Sequence, residues 1–404
     1  MSKLSIRDID LKNKRVFIRV DFNVPLTEDG ATITDDTRIV ATLPTIEYAL
    51  RHHAKVILAS HLGRPKGKPN PKYSLRPVVD RLRELLDKKI GESINVAFAP
   101  DCVGEIAEEM SRQLESRQVL LLENLRFHAE EEANDPAFSK ALASLAEVYC
   151  NDAFGSAHRA HASTEGITHF LKPAVAGLLM EKEITYLGKA LESPEKPFVA
   201  IIGGSKISGK IDVIDNLLDK VDTLVIVGGM AYTFYRSKGV ATGKSLVEED
   251  KIDLAKAALE KAKSKGVELL LPVDNILADS FDNNAKTQPW DTSKDFPADW
   301  QGLDIGPKSV ATIEDVVSRA RTIVWNGPAG VFEFPTFAKG TNAIARAVAA
   351  NKAAISIIGG GDSVSAINQA GVASQITHIS TGGGASLEFL EGKKLPGVEA
   401  LTNK

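Results

Sequence analysis

The chain has 404 residues, 43% hydrophobic and 25% charged, a composition that excludes a disordered protein; at roughly 150 residues per domain, two domains are expected. Its formal net charge of −4 excludes attraction of the whole molecule to nucleic acid or to an anionic membrane, so any anion site must be local. The only cysteines, Cys102 and Cys150, are too few for a disulfide framework, and neither an apolar signal core nor a run of about 18 apolar residues is present, which predicts a cytoplasmic protein with no membrane partner.

Short β-rich apolar runs alternate with helical patterns along the chain, the signature of βαβ units and parallel sheets. Strands are expected at 15–20, 55–59, 96–99, 119–122 and 148–151. The clearest helix is expected over 74–88, where Leu75, Val78, Val79, Leu82, Leu85 and Leu86 keep a helical period behind Ser74 as N-cap. The stretch 177–191 reads as a helical connector ending at Ser193-Pro194. Beyond it, strands are expected at 198–202, 223–227, 267–271, 322–325, 354–358 and 376–380. The segment 282–300 is rich in Asp, Asn, Pro and Lys without periodicity and reads as a surface excursion. The fold class is therefore α/β, with two doubly wound, Rossmann-like parallel-sheet domains over 1–176 and 193–390, joined by a connector over 177–192.

In open α/β sheets, ligands bind beyond the carboxyl ends of the strands. In the second half these ends are Gly203-Gly204-Ser205-Lys206, Gly228-Gly229-Met230, Asn326-Gly327-Pro328, Gly359-Gly360-Gly361-Asp362 and Thr381-Gly382-Gly383-Gly384. Glycines let backbone N–H groups approach phosphate oxygens, and helix N-termini behind them favour negative charge. One glycine pair could simply make a tight turn, but five strand ends of this kind in one domain point to a polyphosphate. A P-loop does not fit, because Ile211 follows Lys210 where a Ser or Thr is required, and no G-x-G-x-x-G follows a strand.

The first half ends its strands differently, in Asp21-Phe22-Asn23, Ser60-His61-Leu62-Gly63-Arg64, Glu123-Asn124-Leu125-Arg126 and Asn151-Asp152-Ala153-Phe154, with Arg38 at the start of the first helix and His158-Arg159-Ala160-His161 downstream. A lone Arg is usually a solvated or ion-paired surface residue. Several beside one sheet edge suggest a small acid carrying phosphate, because the guanidinium fork grips phosphate and carboxylate through paired bonds. Zinc at His158 and His161 is not expected, since neither a Cys pair nor H-E-x-x-H accompanies them.

The motifs R-V-D-F-N-V-P from Arg19, S-H-L-G-R-P from Ser60, E-N-L-R-F from Glu123, N-D-A-F-G from Asn151, G-G-S-K-I-S-G-K from Gly203, W-N-G-P from Trp325, G-G-G-D-S from Gly359 and S-T-G-G-G-A-S from Ser380 resemble the signatures of the phosphoglycerate kinases, in order and over nearly the whole chain. The resemblance implies reversible phosphoryl transfer between 1,3-bisphosphoglycerate and ADP, giving 3-phosphoglycerate and ATP, in glycolysis, gluconeogenesis or carbon fixation. It implies that Asp21 and Asn23, with Phe22 between them, hold the hydroxyl and carboxyl end of 3-phosphoglycerate. His61, Leu62, Gly63, Arg64, Arg126 and Arg159 would surround its phosphate, and Arg38 would sit beside the transferring group. Lys206 and Lys210 would contact nucleotide phosphates, Glu333 the ribose and Gly302 the adenine pocket. Gly360, Gly361, Asp362 and Ser363 would line the nucleotide site, with Asp362 ligating Mg2+, and the amides of Gly382, Gly383 and Gly384 would meet the phosphoryl in flight. The tail 391–404 would return to the first domain, and the protein would act as a monomer. A non-catalytic relative would be expected to lack Lys206, Arg38 or Asp362; all three are present.

The nucleophile of the reverse reaction is a carboxylate, already ionised at neutral pH, so no general base is required and Asp21 reads as a binding residue. What remains is in-line positioning and neutralisation of charge on the phosphoryl oxygens. With the two ligands on separate domains, closure about a hinge in the connector and near 387–391 is expected.

Overall fold

Val16-Phe17-Ile18 and Leu120-Leu121-Leu122 are apolar at every position, the pattern of strands covered on both faces. The computed structural model describes residues 2–404 and divides the chain into two units, Met1–Thr185 with Lys394–Lys404, and Tyr186–Lys393.

The first unit is built on a six-stranded parallel sheet. Its strands are β1 (Arg15–Arg19), β2 (Lys55–Ala59), β3 (Val96–Ala99), β4 (Val119–Leu122), β5 (Val148–Asn151) and β6 (Ala174–Ala176), in the order β3-β4-β2-β1-β5-β6. The helix expected over 74–88 begins instead at Val78 and runs to Ile90. Pro77 is the N-cap of that helix. Ser74 does not cap this later-starting helix, but its hydroxyl accepts from Arg76 N at 3.1 Å, as a capping side chain would, and donates to Glu123 Oε2 at 2.6 Å. Leu82 and Leu86 on this helix are fully buried, and each contributes about 2 kcal/mol of apolar transfer. The C-terminal residues are stitched into the same unit: Leu4 N donates to Thr402 O and Thr402 N to Ala174 O, both at 2.8 Å.

The second unit carries another parallel sheet, with β7 (Phe198–Ile202), β8 (Thr223–Ile226) and β9 (Glu268–Leu270) on one side and, after an intervening segment, β13 (Thr322–Asn326), β14 (Ile355–Gly359) and β15 (His378–Ile379). The order is β15-β14-β13-β7-β8-β9. The intervening segment departs from the sequence expectation. It folds as a three-stranded antiparallel sheet in the order β11-β10-β12, from β10 (Asp274–Ala278), β11 (Thr287–Asp291) and β12 (Gln301–Ile305). Pro289 is tolerated because β11 is an edge strand, and Trp290 is buried with Tyr232, Tyr235, Leu277 and Phe296 in a separate aromatic cluster. The helix Leu178–Glu192 spans the division between the units. Among the described residues, no helix is long and apolar enough to cross a membrane.

Candidate functional site

The carboxyl ends of β1, β2 and β4 bring the predicted residues of the first unit together. Past β1, Phe22 is buried and its N–H donates to Ser60 Oγ at 2.8 Å, fixing the two polar residues beside it. Asn23 Oδ1 accepts from Gly63 N at 2.9 Å, which ties the loop after β1 to the loop after β2. Asp21 Oδ2 accepts from Arg38 Nη1 at 2.8 Å, so the exposed Arg38 in the first turn of the helix Thr37–Arg51 is already steered. Past β2, Gly63 has φ +60°, and a Cβ there would lie 2.4 Å from the Tyr73 ring. Past β4, Asn124 Oδ1 accepts from Leu62 N at 3.1 Å and from Arg126 N at 3.0 Å, and Arg126 Nη1 donates to Gly63 O at 2.9 Å. Arg64 and Arg159 are exposed.

Beneath these groups lies a buried network. Arg19 is 1% exposed; its Nε donates to Ser163 Oγ at 2.9 Å, which donates on to Glu131 Oε1 at 2.6 Å. Burial raises the Glu131 pKa against the opposing pull of Arg19 and Ser163. Arg19 Nη2 lies 3.1 Å from His61 Nδ1. Because a guanidinium can only donate, His61 Nδ1 must accept, and the neutral ring carries its proton on Nε2. Burial, then Arg19, Arg126 and Arg38, hold the His61 pKa well below the ordinary value. Burial with Arg19, Arg126 and Arg159 likewise pushes His161 down to about 4. The structure therefore gathers His61, His161, Arg38, Arg126 and Arg159 in one field of positive charge.

In the second unit the strand ends meet backbone to backbone. Gly203 N donates to Asn326 O at 2.9 Å and Gly204 N to Pro328 O at 3.0 Å, and a Cβ on Gly203 would lie 2.3 Å from Pro328 O. Beside them opens a pocket of about 450 Å³ lined by Gly204, Gly302, Glu333 and Asp362, with Leu246, Tyr232 and Phe281 giving it apolar surface. Gly302 is required, since a Cβ there would overlap the Tyr232 hydroxyl, at 1.5 Å. Lys210 Nζ donates to Asn326 O at 2.9 Å and also contacts Asn326 Oδ1. Burial pushes its pKa down to about 8, with Asp362 acting in the other direction. Asp362 is exposed in the first turn of the helix Gly361–Gln369.

Of the other predicted nucleotide-side residues, Lys206 is exposed, as are Gly383 and Gly384 at the start of the helix Gly384–Leu390. Gly360 has φ +87°, and Gly382 is buried. Ser363 is fully buried, and its hydroxyl accepts from Gly327 N at 2.5 Å, so its contact is with the loop rather than with open space. Sequence reasoning missed Tyr232, Leu246, Asn275, Phe281 and Asp304, all of which line the pocket. Asn275 and Asp304 stand on β10 and β12, whose strands were not read, so no strand-end signal pointed to them. Burial pushes the Asp304 carboxyl up to about 7.

The model of the family described as phosphoglycerate kinase matches residues 6–393. A phosphoglycerate kinase of Acidobacterium capsulatum is 73% identical over the whole of both chains, and the cytosolic phosphoglycerate kinase of Triticum aestivum is 57% identical over 98% of this chain and 97% of that one. The structure of phosphoglycerate kinase from Coxiella burnetii superposes with a TM-score of 0.89 at 43% identity, covering 98% of each chain.

Proposed function

The chain belongs to the phosphoglycerate kinase family, whose reaction is reversible phosphoryl transfer between 1,3-bisphosphoglycerate and ADP to give 3-phosphoglycerate and ATP, and from that premise we propose how its residues divide the work. The first unit holds the three-carbon acid. Asp21 and Asn23 take its hydroxyl and carboxyl end, while His61, Arg64, Arg126 and Arg159 take its phosphate. The observation that carries this reading is the field of guanidinium groups around His61 and His161, which helps to suppress their protonation and which a phosphorylated acid would neutralise. His61, neutral with its proton on Nε2, serves as a hydrogen-bond donor and not as an acid.

The second unit holds the nucleotide. Glu333 takes the ribose, Gly302 leaves room for the base, and Lys206, Lys210 and the amides of Gly382, Gly383 and Gly384 meet the phosphates. Magnesium fits: Asp362 offers an exposed hard oxygen in the pocket wall, the donor that this cation prefers. When bound, Mg2+ would offset charge on the phosphate oxygens. Arg38 from one unit and Lys206 from the other would neutralise the phosphoryl group in transfer, and since the ligand groups belong to separate units, closure about the helix Leu178–Glu192 is part of the reading. The reduced, buried thiols of Cys102 and Cys150 support action in the cytoplasm, and the complete set of groups on one chain supports a monomer.

The test is a crossed pair of titrations. Arg159→Ala should bind 3-phosphoglycerate about 10- to 100-fold more weakly, the loss of one charge-assisted contact, and bind ADP as the parent does. Glu333→Ala should do the reverse, and a crossed or uniform result rejects the division of labour.

A further inference from the structure

β3 ends at Ala99, and Pro100 turns the chain so that Asp101 and Cys102 follow directly. Past β4, the turn Leu125–Phe127 delivers His128 to the same place. His128 Nε2 lies 2.7 Å from Asp101 Oδ1, and Cys102 N donates to that oxygen at 2.6 Å. The side-chain donor atoms of Asp101, Cys102 and His128 all lie within 4.8 Å of one another. Phe138 packs on the imidazole at 5.2 Å between ring centroids and limits its orientations. The Asp101 and His128 side chains are 49% and 28% exposed, whereas Cys102 is fully buried. The cluster is thus open at its carboxylate and imidazole and closed at its thiol.

A surface Asp–His pair alone would be an ordinary ion pair. The thiol beneath it adds a soft donor, and the three types together are the mixture that zinc-class cations take, at about 2.3 Å for sulfur and about 2.0–2.2 Å for nitrogen and oxygen. Tetrahedral coordination at those lengths sets donors roughly 3.3 to 3.8 Å apart, so small side-chain rotations separate the imidazole from the carboxylate and admit an ion. We propose that Asp101, Cys102 and His128 form a site for a zinc-class divalent cation, with the fourth position left to water on the exposed side. Binding forms bonds from the ion to sulfur, nitrogen and oxygen. The thiol proton leaves to solvent, and the imidazole nitrogen that takes the ion gives up both its contact with Asp101 and the proton it shared there, which also passes to solvent while the other ring nitrogen keeps its own. This site is chemically distinct from a magnesium site at Asp362, because Mg2+ prefers oxygen donors and dehydrates reluctantly. An ion here would clamp the end of β3 to the turn that carries Arg126.

The experiment is a Co2+ titration of the full-length protein, kept reduced with a non-chelating phosphine and followed by absorbance. A thiolate-to-cobalt charge-transfer band should grow to one equivalent, disappear when Zn2+ is added, and persist in excess Mg2+. Cys102→Ser should lose the band, Cys150→Ser should keep it, and His128→Gln, which retains the thiol and alters a partly exposed residue, should need about tenfold more Co2+ or worse. Zn2+ should also raise the thermal midpoint of the parent and not that of His128→Gln. No charge-transfer band in the parent, a band that survives Cys102→Ser, or equal Co2+ affinity in His128→Gln overturns the proposal.

Discussion

The two units end their strands with different kinds of residue. In the first, strands end in charged side chains, and the structure accommodates them at some electrostatic expense: Arg19 is buried and His61 and His161 are held neutral. In the second, strands end in glycines, and the constraint is steric: the Gly203, Gly228 and Pro328 loops touch through backbone atoms that leave no space for a Cβ. A side-chain site can be tuned or weakened one residue at a time. A backbone site is all or nothing, because the atoms that would meet the ligand also make the fold.

The sharpest way to break this comparison is to add one carbon. In Gly203→Ala the new Cβ would meet Pro328 O at 2.3 Å and Gly327 O at 2.5 Å, backbone atoms that cannot rotate aside. The second unit should lose roughly 4 kcal/mol or more of stability, seen as a lower midpoint in denaturant. Gly361→Ala is the control, since nothing lies within 4 Å of its Cβ position; its stability should stay within about 0.5 kcal/mol of the parent. Equal stability for the two variants would mean that the glycines are interchangeable and the contrast between units is wrong.

On the side-chain half the expected losses are kinetic. Arg38→Ala should lower kcat by about 100-fold, near 3 kcal/mol, the typical worth of one donor aimed at charge that develops in transfer. Arg159→Ala should instead raise KM for 3-phosphoglycerate with a smaller change in kcat. Steady-state kinetics in both substrates separates the two, and matching losses in both parameters for both variants would remove the distinction drawn between them.

The parallel sheets were legible because their strands are uninterrupted apolar runs followed by glycine or charge, a pattern that carries both fold and site. The antiparallel sheet was not, because Thr287–Asp291 pairs through backbone with little apolar alternation and buries chiefly Trp290. The pocket's wall went with it: Asn275, Phe281 and Asp304 show no local signal and are assembled only by pairing distant in sequence. The same limit hid Arg19 and Glu131. Nothing in the spacing of a buried cation and a buried carboxylate over a hundred residues apart says that Ser163 will join them.

Magnesium tests the backbone half more gently. Asp362→Asn keeps the size of the side chain and removes its charge, so the Mg2+ concentration for half-maximal activity should rise about tenfold while 3-phosphoglycerate binding stays unchanged. Initial rates across an Mg2+ series at fixed total nucleotide give the answer. A variant whose Mg2+ dependence overlays the parent's removes Asp362 from the cation's coordination.

The smallest effect expected is on the pH dependence of stability, and it should belong to the first unit. His161 has its folded pKa pushed from 6.5 down to about 4, so below the ordinary value the unfolded chain binds a proton that the folded chain refuses. Its contribution to stability is therefore full above about pH 6.5 and falls as the pH drops toward about 4. Discounted for partial screening, the loss at about pH 5 is about 1 kcal/mol, and His61, displaced in the same direction, adds to it. Burial pushes the Asp152 and Glu131 carboxyls up, so they act in the opposite direction, and the His161 effect is read by difference: in denaturant unfolding at pH 7 and pH 5 the parent should lose more stability, or gain less, than His161→Gln, because glutamine has no proton to gain. A slope unchanged in His161→Gln would show that the positive field around this ring does not govern its protonation, and the electrostatic half of the contrast between the units would fail.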